Sequence, residues 1–186
     1  MPRYLALLRG INVGGRNKVA MADLRDLAAA VGLADATTYI QSGNLVFSSA
    51  ETDTAELADM LEAEIASRLG VRPAVVVLSS GELRQVITGN PFPAETNPKC
   101  LHAVFRRDEV GRDGIAAIAA AVQQARDAGS RDEATVVGRT LFVHTPDGFG
   151  RSELAARLTS SKVQTAGTAR NWATVTKLMG MLDAGS

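Results

Sequence analysis

The sequence predicts an α+β protein built from two ferredoxin-like (βαββαβ-type) halves, with antiparallel sheets covered by helices. Two observations predict this fold. Short β-rich segments alternate with amphipathic helical segments, and the order of strand, helix, two strands and helix occurs twice along the 186 residues. A polar stretch with two prolines, up to Lys99, separates the two repeats and predicts a division into residues 1–98 and 99–186.

The sequence of the first half predicts strands and helices in the order βαββαβ. Tyr4–Leu8 is a short apolar run, and Val71–Leu78 contains the continuous apolar run Val75–Leu78; such runs are typical of buried strands. Thr37–Gln41 and Asn44–Ser48 are β-rich and are separated only by Ser42-Gly43, which predicts a hairpin with a two-residue turn. Apolar residues at helical spacing predict one helix before this hairpin and one after it. These residues are Met21, Leu24, Leu27, Ala28 and Val31, and then Leu57, Leu61, Ile65 and Leu69.

The second half predicts the order βαββα. Its strands are expected at Leu101–Arg106, Thr135–Val137 and Thr140–His144, and the last two are joined by a tight turn at Gly138-Arg139. Three helices follow from the apolar spacing. They contain Ile115, Ile118, Ala119 and Val122, then Leu154 and Leu158, and finally Trp172, Val175, Leu178, Met179 and Leu182.

Composition limits the classes of protein to which the chain can belong. The apolar fraction of 46% is enough for a core without a disulfide or a structural metal. Cys100 is the single cysteine, so a reducing compartment is expected. The apolar run at the amino terminus is too short for a signal peptide or a membrane span. We therefore expect a cytoplasmic protein with no membrane partner, and no motif calls for a cofactor.

Charge is uneven along the chain although 20 basic and 20 acidic residues cancel overall. Residues 1–20 contain four basic residues and no acidic one. Residues 149–182 contain five basic residues against Glu153, a net charge of 5 − 1 = +4. The basic residues of the two stretches are Arg3, Arg9, Arg16 and Lys18, and then Arg151, Arg157, Lys162, Arg170 and Lys177.

The glycine-rich segment from Gly10 to Lys18 lies between a strand and a helix, as a nucleotide-binding P-loop does. The comparison fails because Arg16 and Asn17 occupy the places of the lysine and of the hydroxyl residue that such a loop requires. Backbone amides together with Arg9, Arg16 and Lys18 still suit a phosphate or carboxylate group. The alternative is a plain connector whose glycines only serve a turn.

Two further polar segments are candidates for ligand binding. Gln41, Ser42 and Asn44 present amide and hydroxyl groups at the hairpin tip, although tight turns favour the same residue types. Asn171 is placed to cap the last helix, and Arg170 beside the positive end of that helix would favour a bound anion. The alternative for this segment is structural, with Trp172 in the core and Arg170 paired internally.

Cys100 and His102 lie two residues apart on a predicted strand and therefore share a face. Two residues do not make a zinc site, which usually has three or four ligands, and the spacing indicates no third ligand. We expect no metal site here.

Several segments together resemble the bacterial domain-of-unknown-function family 1697. They are Leu7–Gly15, Tyr39–Asn44, Asn90–Phe92, Asp147–Gly150, Arg170–Trp172 and Thr174–Lys177, with Ala173 where the family often has asparagine. The resemblance implies a cytoplasmic ferredoxin-like α+β protein and a family with no established activity. Its motif positions correspond here to Arg9, Asn12, Lys18, Gln41, Ser42, Asn44, Arg170, Asn171 and Lys177.

Three functional hypotheses follow. The leading one is a binding protein, or an enzyme, for a small anionic ligand held in a basic cleft between the halves, by the Arg9–Lys18 loop and the start of the Arg170–Lys177 segment. The second is nucleic-acid binding on an exposed sheet face, for which Tyr39, Phe47 and Phe105 are the candidate stacking residues. The third is a structural or oligomerising protein without a ligand.

Overall fold

The computed structural model describes residues 1–160 and 167–184. The chain forms two compact units. The first comprises Met1–Gln85 and the chain from Lys177 onward, and the second comprises Val86–Thr176. Each unit contains one four-stranded antiparallel sheet, and the strands of the two sheets lie on either side of the predicted boundary at residues 98 and 99. The prediction of two ferredoxin-like halves is confirmed.

The first sheet has the strand order β2-β3-β1-β4, with β1 paired antiparallel to both β3 and β4. The elements follow the predicted order βαββαβ. They are β1 (Arg3–Leu8), α1 (Met21–Ala30), β2 (Ala34–Thr38), β3 (Asn44–Ser48), α2 (Thr54–Leu69) and β4 (Val75–Ser79), followed by α3 (Ser80–Thr88).

The second sheet has the strand order β6-β7-β5-β8. Its elements are β5 (Leu101–Arg106), α4 (Arg112–Asp127), β6 (Glu133–Val137), β7 (Thr140–His144), a 3₁₀ turn (Phe149–Arg151), α5 (Glu153–Ser160), β8 (Gly167–Asn171) and α6 (Trp172–Asp183). The predicted order βαββα was wrong by one strand, because β8 completes the βαββαβ pattern. Thr168, Arg170 and Asn171 give this segment no apolar alternation, and its extended form accompanies pairing with β5.

The first hairpin also differs from the prediction. β2 ends at Thr38 rather than Gln41, so five residues, Tyr39 to Gly43, connect the strands instead of two. Ile40 has a φ of +48°, in the left-handed region, which ends the strand before Gln41. The two-residue turn at Gly138-Arg139 is confirmed, since Val137 pairs directly with Thr140.

Helices cover one face of each sheet. In the first unit, α1 and α2 place Leu24, Leu61 and Ile65 against Leu45 and Phe47 of β3. In the second, Ile118 of α4 and Leu154 of α5 join a cluster with Val104, Leu141 and Val143. Burying each such side chain contributes about 1.5–3 kcal/mol to folding. Within the described ranges, no helix is both long and apolar enough to cross a membrane.

Candidate functional site

The glycine-rich segment after β1 folds into a small loop with its own turn. Gly14 and Gly15 have φ angles of +58° and +76°. The Arg16 amide donates to the carbonyl of Val13 at 3.0 Å, and the Asn12 amide donates to the carbonyl of Asn17 at 3.0 Å. Positive φ at both central positions is the signature of a type I′ turn, for which glycine carries no steric cost. The segment is therefore a closed loop rather than an irregular connector.

One side chain, Asn12, holds this loop to its surroundings. Its Oδ1 accepts from the Val19 amide, and its Nδ2 donates to the carbonyl of Val19 and to the carbonyl of Gln41, each at 2.9 Å. Asn12 itself has a φ of +54°, a conformation that asparagine tolerates better than most residues. Both amide hydrogens are thus used within the protein, and the loop is tied to the connection between β2 and β3.

The β2–β3 connection is held in a similar way by Asn44. This side chain is fully buried, and its Nδ2 donates to the carbonyl of Tyr39 at 2.8 Å and to Oγ of Ser42 at 3.0 Å. The carbonyl of Gly43, the residue before Asn44, accepts a hydrogen bond from the Leu8 amide at 2.8 Å. Predicted ligand groups at Asn12 and Asn44 therefore shape the two loops, while Gln41 and Ser42 are exposed at the surface.

The loop presents three cationic side chains. Arg16 and Lys18 are exposed and Arg9 is half-buried. Within residues 1–160 and 167–184, no carboxylate lies within 4.0 Å of any of the three. The backbone N–H groups of Gly14 and Gly15 likewise form no hydrogen bond with a described residue. The loop thus combines two open backbone donors with three positive charges.

Apolar groups accompany these charges. Val13 is 66% exposed on the glycine-rich loop, and Ile40 is 50% exposed on the loop to which Asn12 is bonded. Ile40 is β-branched and has positive φ, a combination that is a genuine outlier and is retained only where the surroundings enforce it. The sequence predicted the polar part of this surface but not its apolar part.

The predicted residues of the second unit have structural contacts. Arg170 is buried, and its Nη1 donates to Oγ1 of Thr168 and to the carbonyl of Ala169, both at 2.8 Å. Burial lowers the pKa of this guanidinium to about 10. Asn171 caps α6 as predicted, since its Oδ1 accepts from the Thr174 amide at 2.9 Å. These contacts fit the structural alternative for this segment.

Two further basic residues belong to the carboxyl-terminal stretch, Lys177 and Lys162. Lys177 is exposed on α6. Lys162, one of the basic residues near the carboxyl end, lies outside the described residues. That Arg170 and Lys177 act together with the glycine-rich loop stays a prediction.

The aromatic residues named for nucleic-acid stacking are not presented on an exposed sheet face. Phe47 is 0% and Phe105 is 1% exposed, and Tyr39 lies outside the strands. Stacking on bases requires an accessible ring face. Phe47 and Phe105 therefore offer no ring face for stacking, Tyr39 is half-buried, and nucleic-acid binding stays a hypothesis.

Cys100 and His102 also have structural surroundings. The Cys100 thiol contacts the carbonyl of Pro146 at 3.7 Å, and burial raises its pKa. The ring centroids of His102 and Phe149 lie 4.0 Å apart, and burial lowers the pKa of His102 to about 4. Among the described residues, no group of three or more histidine, cysteine and acidic side chains is arranged to hold a metal ion.

A hydrogen-bonded pair that the sequence did not indicate joins the segment after α3 to β7. His144 Nε2 donates to Oε2 of Glu95 at 2.8 Å, and the histidine ring stacks on Phe92 with centroids 5.0 Å apart. The hydrogen bond from His144, followed by the backbone amide of Asn97, lowers the pKa of Glu95 below its ordinary value of 4.5. Forty-nine residues separate the partners, so no local spacing reveals the pair.

This pair predicts a pH-dependent contribution to stability. A carboxyl group whose pKa is lower in the folded state stabilises the fold above its unfolded pKa of about 4.5 and loses that effect as the pH falls through the folded value. Glu95→Gln should therefore destabilise the protein at pH 6, and the difference from wild type should narrow below pH 4.5. Urea denaturation across this range measures it, with Glu109→Gln as an exposed control in the same unit. A gap that stays constant with pH would contradict the assignment.

Comparison with known proteins agrees with the architecture and leaves the chemistry open. No functionally curated protein matches the chain. A solved structure, that of the conserved bacterial protein SP0830 from Streptococcus pneumoniae, is similar with 25% sequence identity and a TM-score of 0.76, over 97% of this chain and 98% of that one. The family model described as "Protein of unknown function (DUF1697)" matches residues 1–142. This chain therefore belongs to the DUF1697 family.

Proposed function

We propose that this protein binds a small anionic ligand in the bacterial cytoplasm, through the glycine-rich loop of residues 9–18. One observation carries the proposal. Arg9, Arg16 and Lys18 extend from a loop that the protein holds closed by its own amides, and no described carboxylate lies within 4.0 Å of them. Cations that no described carboxylate neutralises, beside open backbone N–H groups, are suited to an anion.

The loop supplies the two kinds of donor that an oxyanion needs. The amides of Gly14 and Gly15 provide directed hydrogen bonds, and a glycine tip lets an anion approach the backbone without meeting a side chain. Arg16 and Lys18 add charge-assisted hydrogen bonds, each contributing about 1.5–3 kcal/mol. Ser42 and Gln41, on the loop bonded to Asn12, are further polar groups for the remainder of the ligand.

The test uses the full chain at low ionic strength with inorganic phosphate, pyrophosphate and citrate as probes. Binding should shift the amide NMR signals of Gly14 and Gly15, and calorimetry should give a dissociation constant that rises with added salt. The double variant Arg16→Gln/Lys18→Gln should weaken binding about tenfold or more, since it removes two charge-assisted contacts. Its melting temperature should stay close to wild type because both side chains are exposed.

The matched control removes two exposed charges elsewhere. Arg72→Gln/Lys99→Gln causes the same change in net charge, and neither side chain forms an ion pair with a described residue. If both double variants lose affinity equally, attraction to overall charge explains the binding and the loop does not. If none of the three probes shifts the glycine amides, the proposal is wrong for this loop.

A further inference from the structure

The second sheet has an open edge at β6. Within the described part of the chain, this strand pairs only with β7. The two-residue turn at Gly138-Arg139 makes Val137 and Thr140 the closing hydrogen-bonded pair. Because hydrogen-bonded pairs alternate along an antiparallel ladder, Thr135 also bonds toward β7. Ala134 and Val136 therefore direct their N–H and C=O groups outward.

This edge lacks the bulge, the proline and the basic side chain that often prevent strand pairing, and its one charged residue, Glu133, is at its first position. One edge strand of the first sheet, β2, is interrupted by a register shift between Ala34 and Thr37, and Asp35 within it has a φ of +52°. In contrast, all five residues of β6 pair with β7 in unbroken register, and none is proline, lysine or arginine. Natural sheets blunt exposed edges with bulges, prolines and charges. An unblunted edge is thus a surface suited to pairing.

Apolar surface lies beside the same edge. Val137 of β6 is 42% exposed and Ile115 of α4 is 49% exposed. A groove of about 480 Å³ between α4 and β6 is lined by Ile115, Ile118 and Val136, among others. Strand addition at an edge gains affinity from main-chain hydrogen bonds and from neighbouring apolar pockets. Both components are present here.

We propose that β6 pairs antiparallel with β6 of a second copy of this chain, about a two-fold axis at Thr135. In this register Ala134 lies opposite the partner subunit's Val136, and the two residues exchange both backbone hydrogen bonds. All five residues of the strand are paired, and the apolar α4 grooves of the two copies flank the joined strands.

Charge complementarity favours a second copy over an unrelated peptide. Glu133 is the first residue of β6; its side chain is 45% exposed, and its carboxylate lies 3.5 Å from Arg126 Nη2 and 3.7 Å from His144 Nδ1. Arg139 lies in the turn after the strand, where its Nη1 donates to the carbonyl of Arg107 at 2.9 Å. Pairing about Thr135 sets Glu133 diagonal to the partner's Arg139, and the two-fold axis repeats this contact. Opposite charges at diagonal cross-strand positions stabilise an antiparallel pair.

The test is the mass of the full chain in solution, measured by sedimentation from low micromolar to submillimolar concentration. The wild type should dimerise. Thr135 is exposed and meets its own copy at the axis, so Thr135→Lys should weaken dimerisation about tenfold or more through the facing charges. Thr135→Glu should do the same, and an equimolar mixture of the two variants should regain the dimer.

Thr37→Lys is the matched control, because Thr37 is an exposed threonine on the bulged edge strand β2. It should leave the dimer unchanged, and circular dichroism should give the same spectrum for all variants. A wild type that is monomeric at every concentration would overturn the proposal. A dimer that survives Thr135→Lys, or a mixture that stays monomeric, would overturn it as well.

Discussion

Replacing Gly43 by alanine should lower the free energy of unfolding by about 3 kcal/mol, the largest effect that we expect from a single methyl group. Gly43 has a φ of +80°, which costs a non-glycine residue about 1–2 kcal/mol. A Cβ there would also lie 2.8 Å from the Leu8 Cβ and 2.8 Å from the Ile11 Cδ1. Forcing an additional carbon into a packed core costs about 1–3 kcal/mol. Urea denaturation measures the change.

Gly10→Ala separates these two causes. Gly10 has a similar φ of +69°, but a Cβ at this position would have no other atom within 4 Å. We expect a loss of about 1 kcal/mol, from backbone conformation alone. If the two alanine variants are equally stable, Leu8 and Ile11 leave room for a Cβ at position 43, and the expected steric cost is wrong.

Asn12→Gly should destabilise the protein by about 2–3 kcal/mol and weaken anion binding together. Glycine can keep the positive φ but lacks the side-chain amide of Asn12. That amide accepts a hydrogen bond from the Val19 N–H and donates to the carbonyls of Val19 and Gln41. Each net hydrogen bond contributes about 1 kcal/mol, and the partners in this partly buried region lose their protein contact. Denaturation gives the stability, and calorimetry with pyrophosphate gives the affinity.

Asn17→Gly is the matched control, because Asn17 is also an asparagine with positive φ, at +49°. Its side chain donates one hydrogen bond, to the carbonyl of Gly10 at 2.9 Å, so a loss of about 1 kcal/mol is expected. Equal losses for the two variants would mean that the bridge from Asn12 to Gln41 adds nothing. Loss of stability with unchanged affinity for pyrophosphate would separate the bridge from binding.

Local patterns predicted most of the fold. α2 buries Leu57, Leu61 and Ile65 as their spacing predicted, and Asp53 caps it through its bonds to the amides of Ala55 and Glu56. In α4 only Ile118 of the predicted apolar residues is buried, and Ile115 is 49% exposed. β8 was missed because Arg170 interrupts any apolar alternation. The first hairpin was misjudged because an isoleucine at positive φ goes against the preference of β-branched residues for extended backbone, and Ile40 adopts it where Asn44 closes the loop.

Residue types located the candidate site but did not assign the roles within it. An asparagine in a glycine-rich segment can either bind a ligand or stabilise a turn. Only the hydrogen bonds from Asn12 to the carbonyls of Val19 and Gln41 show that it holds the loop in place. Arginine is usually exposed, so the burial of Arg170 could not be read from its type. The Glu95–His144 pair depends on tertiary contact alone.

The bridge made by Asn12 has a consequence for the thermodynamics of recognition. Two loops that are distant in sequence, one around Val13 and the other around Gln41, are ordered by the same amide before any ligand arrives. Ordering a flexible loop on association subtracts from affinity, and a loop that is already ordered avoids this loss. If the loop binds the anion that we propose, a ligand of few atoms, with little surface to bury, would therefore lose none of its affinity to loop ordering.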